Sequence, residues 1–142
     1  MDEEINTFLS EYNDEIICSF IIGSYVYSEN FNDIDIVVIS KKAFFQKHKK
    51  INCKELKATF LPEKMLEEDL KNDTYGSFIY GRFLNPIKIL KNFEYAVNYQ
   101  KKAIEVEFKY HKNIIKDCEE HKEIIKNFIV NRGLYFSKYF KN

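Results

Sequence analysis

Two carboxylates stand two residues apart in Asn32-Asp33-Ile34-Asp35-Ile36-Val37-Val38. Alternate residues of an extended strand point to the same side, so Asp33 and Asp35 present both carboxylates on one face. Two carboxylates that close repel each other, and one pKa rises unless a cation sits between them. Oxygen-only ligation with positions left for water suits Mg²⁺ or Mn²⁺, which take one or two carboxylates plus substrate phosphates. Upstream, the apolar run Phe20-Ile21-Ile22 stops at Gly23-Ser24. The glycine lets the backbone pass close to a ligand, and Ser24 adds a hydroxyl and an N–H at the start of a helical turn. Together the two segments offer a place for a divalent cation and a place for a phosphate.

These residues need elements to hold them. Residues 2–12 read as a short helix with Ile5, Phe8 and Leu9 on one side and acids in its first turn. Residues 16–22 are β-branched and nearly all apolar, a strand covered on both faces. Residues 25–28 have the length of one helical turn, and residues 33–40 form a second strand, acidic at its start and buried further on. The polar stretch 41–50 is expected as a helical connection, 55–61 as a third strand ended by Pro62, and 63–72 as a helix with Pro62 at its start. After Pro86 the character is expected to be wholly helical. Leu90, Phe93, Val97, Ile104, Phe108 and Ile115 make a core stripe on one long helix, and Ile125, Phe128, Tyr135 and Tyr139 mark a second. Joined at residues 117–120, the two make an antiparallel hairpin.

The chain of 142 residues has one-domain size, and its 45% hydrophobic content suffices for a core. Lys plus Arg and Asp plus Glu are both 22, which excludes a globally basic nucleic-acid coat and an acidic disordered tail. The balance is uneven, with 10 basic and 15 acidic residues up to Pro86 and 12 basic and 7 acidic beyond it. Three scattered cysteines make no disulfide framework, which suits a reducing compartment. The acidic Met1-Asp2-Glu3-Glu4 start and the lack of an 18-residue apolar run lead to the expectation of a soluble, cytoplasmic protein without membrane contact.

An apolar strand, Gly-Ser, a short loop, then Asp-x-Asp on a second strand resembles the nucleotidyltransferase superfamily that includes DNA polymerase beta, in its minimal branch. The likeness is good over residues 16–40 and loose to about residue 61. It implies an α/β (α+β) fold, a small mixed sheet flanked by helices; the charge shift at Pro86 and the helical stripes beyond it divide the chain into a nucleotidyltransferase-like core at 1–86 and a helical hairpin at 87–142 packed on it. By the resemblance, Asp33 and Asp35 hold Mg²⁺ or Mn²⁺, and Gly23 and Ser24 bind the triphosphate of a nucleoside triphosphate. A hydroxyl of a protein, RNA or small molecule then attacks the α-phosphate and pyrophosphate leaves, with two metal ions assisting. Minimal members often act with a separate helical partner, some as antitoxins that adenylylate a toxin.

Two departures stand out. The loop between Ser24 and Asp33 is short, with Ser28 or Glu29 where a second glycine is expected. The family's third carboxylate, on the following strand, aligns with Lys57; Glu55 lies one pleat away on the same face and either completes the site as ligand or base or is simply solvated. If nothing completes it, the alternative is a catalytically weak nucleotide-sensing or partner-binding module on the same fold.

The segment 75–86 carries two of the four glycines and one of two arginines. Either it brings Arg82 to a nucleotide phosphate, or it makes a tight helix contact with Arg82 on the surface. His111, Cys118 and His121 lack a ligand spacing suited to zinc. The lysines beyond residue 100 interleave with glutamates like a solvated helix face, and their alternative use is RNA binding. Tyr25 and Tyr27 sit where a base could stack.

Overall fold

The computed structural model describes residues 1–117. Its elements are α1 (Asp2–Ser10), β1 (Ile16–Ile22), α2 (Ser24–Tyr27), β2 (Asp33–Ser40), β3 (Phe45–Ile51), β4 (Lys54–Pro62), α3 (Glu63–Asn72), a 3-10 helix (Tyr80–Leu84), β5 (Lys88–Lys91) and α4 (Phe93–Asp117). The strands form one mixed sheet in the order β3-β4-β2-β1-β5. The β2–β4 pair is parallel and the other pairs are antiparallel. The fold is therefore α+β, a five-stranded sheet flanked by helices.

Side-chain alternation splits the sheet into two apolar layers. Ile34, Ile36 and Val38 of β2 join Ile21, Leu56, Ala58 and Phe60 under α1, which contributes Ile5, Phe8 and Leu9. Val37 and Ile39 point the other way, with Cys18, Phe20 and Leu61, beneath α3, the 3-10 helix and α4. Asp33 and Asp35 have the same parity as Val37 and Ile39, so the second layer turns from apolar to charged along β2.

Three expectations change. The polar stretch 41–50 is largely β3, an edge strand, and not a helix. Its inward positions include Phe45, stacked on Phe60 with centroids 4.1 Å apart, Lys47, whose ammonium bonds Tyr12 and Glu11, and Ile51 at its end. Lys49 and Lys50 are exposed, and charged residues protect an edge against further pairing. Asn52 and Cys53 both have positive φ, as the two-residue turn of a tight hairpin requires, and they return the chain into β4.

Beyond Pro86 the chain first forms β5, which pairs with β1, so helix begins only at Phe93. Four residues, Lys-Ile-Leu-Lys, fit a strand and a helix equally well, and the open edge of β1 decides between them.

The buried face of α4 is Ala96, Tyr99, Gln100 and Ala103, whereas Phe93 is 64% and Phe108 41% exposed. Ile104 packs at the margin of the core. The alanines permit close approach to the 3-10 helix and β1, and this outweighs the larger apolar stripe. The side chain of Ile115, the second helix and the sequence beyond residue 117, with Cys118 and His121, lie outside the described residues.

Candidate active site

The charged end of the sheet's second layer gathers residues from three separate stretches of chain. The first is the β1–β2 connection. Gly23 follows β1 with φ +87° and ψ −167°, a conformation essentially restricted to glycine. A Cβ placed there would lie 3.5 Å from Asp35 Oδ2, so the backbone of this turn rests directly against that carboxylate. Ile22 is the cross-strand partner of Asp35, which fixes the turn relative to the acid. Ser24 begins α2, a single turn of four residues. Tyr25 points to the other side: its hydroxyl donates to Asp2 and its ring meets Phe31 edge-on, so it does not face the carboxylates as a base-stacking residue would.

The second stretch is β4. Its parallel register sets Glu55 beside Asp33 and Lys57 beside Asp35. In-register neighbours share a face, so all four side chains stand on the same side of the sheet. Asp33 and Glu55 are exposed, while Asp35 and Lys57 are half-buried. Glu55 Oε1 lies 2.7 Å from His48 Nδ1 on β3, which holds the carboxylate toward the sheet edge.

Burial pushes the Asp35 carboxyl above the usual carboxylate range, and Asp33 adds to the rise; Lys57 and Arg82 oppose it, and Glu55 adds a smaller upward push. Burial is the larger cause, and the repulsion expected from Asp33 adds to it.

The third stretch is the segment leading into the 3-10 helix. Arg82 lies over the Phe78 ring, 4.6 Å from its centroid, and its Nε is buried without a hydrogen-bond partner. Burial lowers the guanidinium's pKa and the negative charge of Asp35 raises it. Arg82 is half-buried and acts electrostatically on Asp35.

Asp69 of α3, which sequence reasoning did not single out, holds that segment in place. It is fully buried. The N–H groups of Tyr75 and Ser77 donate to its Oδ1, and those of Ile79 and Tyr80 to its Oδ2, at 2.9–3.3 Å. A buried carboxylate is tolerated only with such partners. The signal was available: an acid three residues after Leu66 falls on the helix's apolar stripe, ahead of a Gly-Ser turn. His48 and Phe78 were also missed, His48 because residues 41–50 read as helix.

The donor chemistry suits a hard divalent ion. Asp33 and Asp35 offer oxygen ligands only, and open surroundings leave room for water and phosphate oxygens. Among the described residues no cluster of three or more His, Cys, Asp or Glu side chains is placed to hold a metal. The pair would have to share an ion with a substrate's phosphates.

The chain matches no protein-family model and no curated protein. In three dimensions it is similar to a nucleotidyltransferase-like protein from Exiguobacterium sibiricum, with a TM-score of 0.53 over 98% of this chain at 12% identity. The fold is nucleotidyltransferase-like. The chain spans about half that neighbour's length, 55%, and the likeness is one of fold. Among the described residues no helix is long and apolar enough to cross a membrane.

Proposed function

We propose that the protein transfers a nucleoside monophosphate from a nucleoside triphosphate to a hydroxyl acceptor. The observation that carries this reading is the seating of the Gly23 turn against Asp35 Oδ2, which puts a side-chain-free backbone next to a carboxylate pair. In this reading Asp33 and Asp35 hold Mg²⁺ or Mn²⁺, two ions in the form of the reaction that the resemblance implies. Gly23 and Ser24 admit the triphosphate, and Arg82, held near Asp35, offers its guanidinium to a phosphate oxygen. Glu55, positioned by His48, is the candidate to take the acceptor's proton. Bound metal would stabilise charge on the reacting phosphate and its leaving group. The acceptor is a protein, an RNA or a small molecule, and a separate helical protein is the partner class the resemblance implies. The core in this proposal runs on from the expected boundary at Pro86 through β5, which pairs with β1, so that the helical unit starts at Phe93.

A second reading, a nucleotide-sensing or partner-binding module, is favoured by one observation. The register places Lys57, a cation, where the resemblance calls for a third carboxylate. Incubation with α-labelled ATP, GTP, CTP and UTP, Mg²⁺ or Mn²⁺, total cell RNA and lysate protein separates the two. Label that needs metal and disappears in Asp33→Asn plus Asp35→Asn establishes transfer and identifies the acceptor class. Metal-dependent nucleotide binding by calorimetry without transfer supports the sensor. Neither binding nor transfer removes both and leaves only the fold.

A further inference from the structure

The cation that blocks a third carboxylate has a use of its own. Lys57 is in register with Asp35 on the adjacent parallel strand, and both side chains occupy the sheet face that carries Asp33 and Glu55. Neighbouring strands lie about 5 Å apart, so the stem of Lys57 rises beside the carboxylate pair. Arg82 approaches the same acid from the 3-10 helix, its Nε buried and unpartnered. Glu55, the remaining carboxylate, bonds to His48 on the outer strand. The site therefore sets three carboxylates, Asp33, Asp35 and Glu55, against Lys57 and Arg82.

One divalent ion at Asp33 and Asp35 fits that balance. A second would bring two more positive charges to the side of Asp35 where the register already sets Lys57.

We propose that this site takes a single divalent ion at Asp33 and Asp35, and that Lys57 supplies to the substrate phosphates the positive charge a second ion would otherwise bring. The inference rests on the nucleotidyl-transfer reading, and it makes Lys57 a phosphate-facing charge in place of a metal ligand.

The test counts metal directly. Mn²⁺ is titrated against the full chain, free Mn²⁺ being read by electron paramagnetic resonance, alone and with the non-hydrolysable α,β-methylene analogue of each of the four nucleoside triphosphates. The wild type is expected to hold one Mn²⁺ per chain with analogue bound, and Lys57→Asp to hold two. In Lys57→Met, Mn²⁺ alone should bind about tenfold tighter because the opposing charge is gone, and the analogue about tenfold weaker because its phosphates lose a partner. A purely structural lysine would not move the two affinities in opposite directions. Two Mn²⁺ in the wild type, or a Lys57→Met variant with both affinities unchanged, overturns the inference and leaves nucleotidyl transfer standing. A folded wild type that binds neither Mn²⁺ nor any analogue overturns both.

Discussion

At the scale of single residues the site is a problem in placing like charges. Asp35 carries the strain: it is half-buried, near Asp33, and its carboxyl titrates above the ordinary range. A carboxylate whose folded pKa is raised binds its proton more tightly in the native state, so it contributes least to stability above that pKa. Without divalent ions, Asp35→Asn is expected to stabilise the protein at neutral pH. The gain should shrink as pH falls through the folded pKa toward the unfolded value of 3.8. Urea melts of wild type and variant between pH 3.5 and pH 7 check this, and parallel curves would contradict it.

Gly23 makes the complementary demand. At φ +87° and ψ −167° any L side chain is strained, and Gly23→Ala is expected to cost about 1–3 kcal/mol. Its Cβ would fall at ordinary contact distance from Asp35, so the cost comes from the backbone and not from a clash. A thermal melt that leaves Gly23→Ala unchanged would show that the turn has another conformation available to it.

At the scale of elements, Arg82 is only as well placed as the loop that delivers it. That loop uses left-handed backbone at Asp73, Gly76 and Ser77, and four of its N–H groups end on Asp69. Asp69→Asn replaces one accepting oxygen by a donor facing N–H groups. It should destabilise the protein by about 3 kcal/mol, the cost of leaving buried donors without partners. Amide exchange at Tyr75, Ser77, Ile79 and Tyr80 should quicken more than exchange in β1. A uniform change across the protein would mean that Asp69 supports the whole core and not this loop in particular.

The hairpin of β3 and β4 matters to the site in the same way. By covering the outer edge of β4, it brings His48 to Glu55 and fixes that carboxylate's direction.

At the scale of the whole molecule, one sheet serves both stability and chemistry because its second layer changes character along the strands. Toward one end Phe20, Val37, Ile39 and Leu61 lie under helices, and toward the other Asp33, Asp35, Glu55 and Lys57 face outward. Among the described residues the two thiols follow the same division. Cys18 sits in the core with its pKa pushed up to about 12 by burial, while Cys53 is exposed in the β3–β4 turn. A thiol reagent at pH 7.5 should therefore modify Cys53 in the native state and Cys18 only as fast as the sheet opens. Peptide-resolved mass spectrometry distinguishes them, and equal rates would contradict this packing.

What could be read without coordinates was whatever depends on neighbours in the chain. The alternation of Asp33, Ile34, Asp35 and Ile36 determines that two acids share a face opposite buried isoleucines. The uniform apolar run 16–22 determines a buried strand, and its termination at glycine marks the turn that approaches Asp35. These signals are local, since period-2 geometry and the freedom of glycine need no knowledge of distant segments.

What required tertiary structure was everything set by pairing across the chain. Residues 45–51 and 88–91 became strands because the edges of β4 and β1 offered hydrogen bonds to segments whose own patterns were indifferent. α4 turned Ala96 and Ala103 inward because close approach, and not side-chain size, determined its packing. Above all, the parallel register of β2 and β4 placed Lys57, and not Glu55, beside Asp35. Setting Glu55 there instead would take a slip of two residues, which leaves every side chain on its own face, so alternation within the strand could not choose between them.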